Sequence, residues 1–227
     1  MTEYLQRIGH RRDELDRLNV IHITGTKGKG STAAFCDALL QKARPPGAGK
    51  IGLYTSPHMV AARERIRIDG VPISEADFAK FFWEVWGRLE QNPHRALETT
   101  PLRPVYFRFM TILAFHVFIS LEVSATLLEV GIGGMYDSTN IVQHPVVTGV
   151  TALGLDHTAI LGHTLEEVAW QKAGIFKPGV PALSVEQPEN AQAVLQKYAK
   201  QVQASSFQVV PVNRDLLHVK LGLPGDH

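Results

Sequence analysis

The sequence predicts an α/β fold in which a mostly parallel sheet is flanked by helices. Three observations predict this fold. Short apolar runs of strand length alternate with longer segments of helical periodicity. Most of these runs are rich in β-branched and aliphatic residues, as is typical of strands buried on both faces. A glycine-rich segment lies between the first run and the first long helical segment. Strands that alternate with helices favour parallel β-α-β units.

The elements follow from these patterns in chain order. The predicted strands are Val20–Ile23, Ile51–Tyr54, Ala125–Val130, Val146–Thr151, Pro181–Val185 and Phe207–Val210. The predicted helices are Ser31–Ala43, Glu75–Gln91, Val105–Ser120, Leu165–Ile175 and Glu189–Gln203. Capping-box pairs support two helix starts, Ser74 with Asp77 and Thr164 with Glu167. The sequence therefore predicts a regular β-α alternation.

Two segments interrupt this alternation. Within the long excursion from Ser56 to Ser74, the pair Asp69-Gly70 lies between alternating residues and predicts a small hairpin. The polar segment Gln91–Pro104 carries three prolines and predicts a surface loop. Long loops are more often functional than idle, so the first excursion is a candidate binding segment.

Composition narrows the class of protein. A length of 227 residues fits one large domain or two small ones. With 23 Lys and Arg against 22 Asp and Glu, the net charge of +1 gives no whole-chain attraction to nucleic acid or anionic membranes. The single cysteine excludes an intramolecular disulfide framework. The apolar stretch Phe109–Leu121 is interrupted by His116 and is shorter than the roughly 20 residues of a membrane span, so it predicts a buried helix.

The strongest local signal is the glycine-rich segment GTKGKGST, from Gly25 to Thr32. Between a strand and a helix, such a turn directs backbone N–H groups and the positive helix end at phosphate oxygens. Lys29 would reach the terminal phosphates, and the hydroxyl of Ser31 or Thr32 could meet Mg²⁺. Gly30 separates Lys29 from Ser31, so the spacing departs from the common phosphate-loop pattern. A flexible basic surface loop is the other interpretation, and the strand-to-helix placement disfavours it.

Polar residues also follow the other predicted strands. Glu129 ends one strand, His157 follows another, and Ser56 comes after a third. Because the carboxyl ends of parallel strands lie at one edge of a sheet, these residues should share that edge with Ser31 of the glycine-rich segment. A lone residue of this kind is more often capped or solvated, but four at one edge indicate a magnesium site beside nucleotide phosphates.

Four motifs in order carry a resemblance to a known family. They are GTKGKGST, YTSPH with RERIRIDG, LLEVGIGGMYDSTN and LGLDHTAILGHTLEEVAWQKAGIFK. From about Ile8 to His227 the chain resembles the folylpolyglutamate synthases, relatives of the Mur peptide ligases. Lys27 and the segment Tyr106–Phe109 resemble the eukaryotic members more than the bifunctional bacterial enzymes. The resemblance implies a P-loop NTPase-like Mur ligase central domain. It also implies ATP-dependent addition of L-glutamate to the γ-carboxylate of tetrahydrofolate through an acyl phosphate.

The resemblance also implies residue roles. The implied ATP loop is Gly25, Thr26, Lys27, Gly28, Lys29, Gly30, Ser31 and Thr32. The implied catalytic residues are Lys29, His157 and Lys172. The implied Mg²⁺ ligands are Ser31, Ser56, Glu129, His157 and Lys172, the last as a carbamate. The implied folate-binding residues are Arg63, Arg65, Phe107 and Asp137. A solvated loop explains the two arginines equally well, and an ordinary helix-surface lysine would explain Lys172. Arg108 stands where bacterial relatives carry Glu, which leaves the details of the acceptor open.

The end of the chain, LGLPGDH, has no closing helix or polar tail and resembles a cut through a longer polypeptide. In the family a C-terminal glutamate-ligase domain follows, so residues 1–227 are expected to form an incomplete ATP-binding domain that is inactive alone. The alternatives are a dihydrofolate synthase, a Mur ligase, or an ATP- or folate-binding fragment without ligase activity. The loop from YTSPH to RERIRIDG argues against the Mur enzymes.

The expected ligands are small molecules. They are a reduced folate, L-glutamate and ATP as substrates, with Mg²⁺ as the cofactor and no nucleic acid. The N-terminal segment lacks an apolar core and carries Glu3, Asp13, Glu14 and Asp16 among its arginines, unlike a secretory signal or a transit peptide. We expect a monomer in the cytoplasm, with a mitochondrial form as the other location.

Overall fold

A computed structural model describes residues 1–211. The chain end that resembles a cut lies outside the described residues. The strands are β1 Val20–Thr24, β2 Ile51–Tyr54, β3 Ile66–Ile68, β4 Val71–Pro72, β5 Ala125–Glu129, β6 Val147–Val150, β7 Pro181–Val185 and β8 Ser206–Val210. They form one sheet in the order β4-β3-β2-β5-β1-β6-β7-β8. The six strands from β2 to β8 in this order pair in parallel, and β3 is antiparallel to both of its neighbours. The predicted α/β fold is confirmed.

The helices connect these strands. They are α1 Thr2–Arg7, α2 Lys29–Ala43, α3 Glu75–Gln91, α4 Tyr106–Ser120, α5 Thr158–Leu161, α6 Leu165–Ala173 and α7 Glu189–Gln201. Short 3-10 helices cover Arg12–Leu18, Ala62–Arg65 and Ser138–Ile141. All five predicted helices and all six predicted strands are present. The sequence analysis did not predict α1, α5 or the 3-10 helices, because segments of four to seven residues carry too few turns for a periodicity to show.

Several predicted boundaries are shifted by one or two residues. Helix α2 begins at Lys29 rather than Ser31, because Gly28 adopts a left-handed φ of 85° and caps the helix there. Helix α7 ends at Gln201 rather than Gln203, whose own φ of 58° is left-handed. Helix α6 ends at Ala173, two residues before the predicted end. The boundaries of strands β2 and β7 and of helix α3 are as predicted.

The local signals in the sequence have clear structural counterparts. The capping box of Thr164 and Glu167 is formed at the start of α6. At the start of α3, Asp77 N donates to the Ser74 hydroxyl at 3.0 Å. Residues 69 and 70 turn the predicted hairpin between β3 and β4 with φ values of 51° and 79°. Both positive values fit a type I′ turn.

The core lies on both faces of the sheet. Leu127 packs in the cluster formed with α2, and its neighbour Leu128 packs in the cluster formed with α4. Successive side chains of a strand point to opposite faces, so α2 and α4 cover opposite sides of the sheet. Residues 109–118 of α4 are all buried, which confirms the predicted buried helix. A further cluster joins α6 and α7 to β6 and β7.

This topology positions the functional residues. The parallel strands β1, β2, β5 and β6 all end at one edge of the sheet. The glycine-rich loop follows β1 there, Ser56 follows β2, and Glu129 is the last residue of β5. Within residues 1–211 no helix is long and apolar enough to cross a membrane.

Candidate functional site

The loop between β1 and α2 is held in a fixed shape by the segment that follows β6. The Thr151 hydroxyl donates to Lys27 O at 2.8 Å. Thr26 N and Lys27 N donate to Ala152 O at 2.9 and 3.1 Å. Gly25 has a φ of +151°, and a Cβ there would lie 1.9 Å from Thr151 Oγ1. The close approach of loop and strand end therefore requires glycine at position 25.

Two lysines meet at one carbonyl of this loop. Lys29 Nζ donates to Gly25 O at 3.0 Å, and Lys172 Nζ donates to the same oxygen at 2.8 Å. Lys172 is buried, and burial, with the charge of Lys29, lowers its pKa to about 8. Since α2 begins at Lys29, the unpaired N–H groups of its first turn add positive potential at the same place. The arrangement favours an anion above the loop.

Glu129 lies beside the start of α2. Its side chain is buried, and Ser56 N donates to its Oε2 at 3.0 Å. A Cβ on Gly30 would lie 3.7 and 3.8 Å from the two carboxylate oxygens, so the first turn of the helix passes directly over the carboxylate. Burial raises the pKa of Glu129, and the charges of Lys29 and Arg65 act in the opposite direction. The carboxylate is thus next to the predicted phosphate site.

A second acid is held at the far side of the same edge. Asp137 Oδ1 accepts hydrogen bonds from Thr139 N at 2.9 Å and from the Thr139 hydroxyl at 2.7 Å. Asp137 Oδ2 accepts one from Ile132 N at 3.1 Å. Burial raises the pKa of Asp137, and these hydrogen bonds lower it. The Phe107 ring lies 6.2 Å from the Tyr54 ring, centroid to centroid. A carboxylate and an aromatic ring thus border one space.

The two predicted arginines have different surroundings. Arg65 is buried, its Nε donates to His58 Nδ1 at 2.9 Å, and its guanidinium lies 5.5 Å from the Tyr106 ring centroid. Arg63 donates from Nη1 to Ile73 O at 3.1 Å and does not line the cleft described next. Only Arg65 therefore faces the same space as the other candidates.

One cleft of about 580 Å³ brings six of the predicted residues together. Its walls include Lys29, Ser56, Arg65, Phe107, Asp137 and His157. The segment from Gly131 to Gly134, Tyr136 and Gln171 also line it. Ser31, Glu129 and Lys172 do not line this cleft: Ser31 is exposed, Glu129 accepts from Ser56 N, and Lys172 is buried and donates to Gly25 O. The cleft combines two cations, Lys29 and Arg65, with the Phe107 ring and the Asp137 carboxylate.

The donors at this edge suit a metal that shares its ligands with a substrate. Within residues 1–211, no group of three or more His, Cys, Asp or Glu side chains could hold a metal ion. Glu129, Ser56 and His157 supply a carboxylate, a hydroxyl and an imidazole. Magnesium in nucleotide sites is bound by one or two carboxylates together with phosphate oxygens and water. The residues fit Mg²⁺ held jointly with a nucleotide, and they do not form a complete protein cage.

Comparison with known proteins agrees with this geometry. No protein-family model matches the chain. A curated folylpolyglutamate synthase from Saccharomyces cerevisiae (strain YJM789) is 48% identical over 232 aligned residues. The alignment covers 100% of this chain. The chain is a homologue of the folylpolyglutamate synthases. It spans 42% of the length of that yeast relative.

Solved structures give the same result. A folylpolyglutamate synthase structure described as an FPGS–AMPPCP–folate complex matches with a TM-score of 0.80 and 34% identity. The match covers 93% of this chain and 48% of that one. The bifunctional folylpolyglutamate synthase/dihydrofolate synthase of Yersinia pestis CO92 matches with a TM-score of 0.73 and 30% identity, over 92% and 47% of the two chains. The fold and the eukaryotic-type resemblance are confirmed.

Three residues that shape this candidate site were missed by the sequence analysis. The Thr151 hydroxyl donates to Lys27 O in the glycine-rich loop. Thr139 donates to Asp137 through its backbone N–H and its hydroxyl, and His22 Nε2 lies 2.8 Å from that hydroxyl. Thr151 could have been found, since it comes directly after a strand that ends at the functional edge. His22 carries no such signal, because a histidine inside an apolar strand is more often a core residue.

Proposed function

We propose that this chain binds ATP and a reduced folate in one cleft and activates the terminal carboxylate of the folate for ligation to L-glutamate. The observation that carries the proposal is that Lys29 and the pair of Phe107 and Asp137 line the same cleft. A folylpolyglutamate synthase relative of the same fold is an AMPPCP–folate complex, which supports the same pair of ligands here.

The residues 25–32 would bind the phosphates of ATP. The loop and the first turn of α2 offer backbone N–H groups, and Lys29 can exchange its contact with Gly25 O for a phosphate oxygen. A fixed cation beside a transferring phosphoryl group stabilises charge that develops in the transition state. Lys27 is exposed and would act at the rim of the nucleotide site.

Magnesium is the cofactor we propose at Glu129, Ser56, Ser31 and His157. When bound, Mg²⁺ supplies positive charge to the phosphate oxygens. Burial raises the pKa of Glu129, and a cation bound beside it would stabilise the charged carboxylate against that burial. His157 precedes the short helix α5 and lines the cleft.

Lys172 is the residue we propose for carbamylation. Its pKa of about 8 leaves part of the side chain as the free amine near neutral pH. The ammonium loses one proton to solvent, and the free amine then adds to the carbon of CO₂ and loses a second proton, so that a cation becomes an anion. The new oxygens would suit a hard cation, whereas the ammonium would repel one. The buried position under the loop would keep the carbamate away from bulk water.

The folate would lie with its pterin ring beside Phe107 and Asp137 in the cleft. Asp137 would accept hydrogen bonds from ring N–H groups, and Phe107 would stack on the ring. Arg65 would attract the folate carboxylates, and Arg63, which precedes it outside the cleft, would add positive charge nearby. The γ-carboxylate oxygen would then attack the γ-phosphorus of ATP, and ADP would leave. The glutamate amine would attack the resulting acyl carbon, phosphate would leave, and an amide would form.

The experiment that tests this proposal measures folate and AMPPCP binding to the 227-residue chain by calorimetry. We expect both ligands to bind, with Asp137→Ala weakening folate alone. Incorporation of labelled glutamate is expected to be absent, because the chain spans less than half of its relatives and ligation needs the amine held at attack distance with water excluded. A chain that binds neither ligand would contradict the proposal.

Dihydrofolate synthase activity is the second candidate. The Yersinia pestis relative is bifunctional, which favours testing dihydropteroate beside tetrahydrofolate. Dihydropteroate that binds more tightly than tetrahydrofolate would favour this candidate.

We also propose small-molecule substrates alone, a monomer, and a cytoplasmic or mitochondrial location. Light scattering of the purified chain and localisation of a tagged chain would test the last two.

A further inference from the structure

A hydrogen-bonded chain runs from the centre of the sheet to the carboxylate of Asp137. His22 lies in the central strand β1, and its Nε2 is 2.8 Å from the Thr139 hydroxyl oxygen. That hydroxyl lies 2.7 Å from Asp137 Oδ1. His22 and Thr139 are both fully buried, at 0% exposure. The carboxylate that borders the cleft is therefore connected to a histidine that no ligand can touch.

The hydrogen bonds fix the positions of the protons. Asp137 accepts from two backbone N–H groups, those of Ile132 and Thr139, which favours the ionised carboxylate. The Thr139 hydroxyl has one proton, and donating it to Asp137 leaves its oxygen to accept from His22 Nε2–H. Within residues 1–211, His22 Nδ1 has no hydrogen-bond partner, as fits a nitrogen without a proton. Burial lowers the pKa of His22 to about 3, so the ring stays neutral.

We propose that His22 and Thr139 are positioning residues that fix the Asp137 carboxylate in one orientation and keep it ionised for the pterin ring. The inference rests on the proposed folate-binding role of Asp137. His22 acts by pointing one N–H at Thr139, which aligns the hydroxyl toward the carboxylate. A threonine without this partner could rotate its hydroxyl away, and Asp137 would lose one of its donors.

Other titratable groups face this chain and stay the same in every variant below. Tyr54 of β2 and Lys172 of α6 act on Asp137, and Lys177 acts on His22. Loss of the Thr139 hydroxyl removes a donor to the ionised carboxylate, so the pKa of Asp137 should rise. As the solution is acidified, the variant should then lose folate affinity at a higher pH than the unmodified chain.

The first test needs no ligand. Nitrogen-15 spectra of the His22 ring in the 227-residue chain should show the neutral Nε2–H tautomer from pH 5 to pH 8. In Thr139→Val this tautomer should lose its fixed hydrogen-bond signature, while Thr139→Ser should keep it. An Nδ1–H tautomer, or a ring that titrates near pH 6.5, would overturn the inference whether or not folate binds.

The second test measures folate affinity against pH. Thr139→Val should weaken folate binding about tenfold or more at neutral pH and move the pH midpoint upward, because a hydrogen bond to a charged group is lost. Thr139→Ser should restore both. The matched control is Thr126→Val, since Thr126 is equally buried in β5 and its hydroxyl has no partner within residues 1–211. This control should bind folate as the unmodified chain does.

The outcomes separate the two proposals. Asp137→Ala that binds folate normally would contradict the proposed function itself. Asp137→Ala that binds weakly, together with Thr139→Val that binds normally at every pH, would leave the function in place and overturn the positioning role. AMPPCP affinity should be unchanged in both variants, because neither residue contacts the nucleotide loop.

Discussion

Gly131→Ala is expected to disable the aromatic side of the cleft and leave the rest of the protein folded. A Cβ at Gly131 would lie 2.3 Å from Phe107 Cζ and 2.8 Å from both Cε atoms. Carbon atoms pack at about 3.5–4.0 Å, so the ring must retreat by more than ~1 Å. Phe107 and Gly131 both line the cleft, and the displaced ring would no longer offer the same stacking face.

The size of the effect follows from the lost stacking. An aromatic ring stacked on a base contributes about 1–3 kcal/mol, and a pterin presents a similar flat surface. Folate Kd should therefore rise by about 5- to 150-fold in Gly131→Ala, measured by calorimetry or fluorescence quenching. AMPPCP affinity should not change, since the nucleotide loop does not contact the ring.

Two controls make the result interpretable. Gly87→Ala in helix α3 places its Cβ in open space and should stabilise the chain by about 0.5–1 kcal/mol without changing folate affinity. In a Phe107→Ala background, Gly131→Ala should have little further effect, because the clashing ring is gone. If Gly131→Ala binds folate normally, or if the two substitutions change the binding free energy additively, Gly131→Ala does not act by displacing the Phe107 ring.

Three further predictions concern charge. Lys29→Ala should weaken AMPPCP binding by about tenfold or more, because it removes the cation beside the phosphates. If calorimetry gives the variant the same AMPPCP affinity as the unmodified chain, the loop does not bind ATP. Glu129→Gln and His157→Ala should each raise the Mg²⁺ concentration needed to saturate AMPPCP binding, while folate affinity stays the same. Magnesium titrations that match the unmodified chain would show that neither residue binds the metal. The pKa of His22 is about 3 in the folded chain and about 6.5 in the unfolded chain. In urea unfolding, lowering the pH from 6.5 to 4 should therefore reduce the free energy of unfolding by about 3 kcal/mol through this residue.

The sign of the last effect follows from proton uptake. Below pH 6.5 the unfolded chain binds a proton at His22 that the folded chain does not bind until about pH 3. Acid therefore favours unfolding. Glu129 and Asp137 act in the opposite direction, because their raised pKa values let the folded chain take up protons first. A His22→Gln chain should have a flatter pH dependence, and an equally steep one would show that the ring titrates normally.

Most of the sheet and the major helices could be predicted from the sequence, because strand length and helical period are local properties. Strand β2 and helix α3 have the predicted bounds for this reason. The clustering of Ser56, Glu129 and Lys29 was also predictable, because parallel strands bring their carboxyl ends to one edge. Individual motif positions then gave Phe107 and Asp137 through the family resemblance.

What the sequence could not show is which way the side chains point. Arg63 and Arg65 are two residues apart in one loop, yet only Arg65 faces the cleft. Lys172 resembles a surface lysine by its helical position, but it is buried against the Gly25 carbonyl. The partners of His22 are more than 100 residues away along the chain. Such contacts depend on tertiary packing, which no local pattern records.

Whether one cleft holds both ligands is measured by a binding titration in which both are present. Folate would be titrated into the 227-residue chain already saturated with AMPPCP and Mg²⁺, and AMPPCP into the folate-saturated chain. Separate sites for nucleotide and folate in one cleft predict that each ligand binds in the presence of the other. They also predict that Lys29→Ala weakens only AMPPCP and Asp137→Ala weakens only folate. Ligands that exclude each other, or variants that affect both equally, would contradict the account.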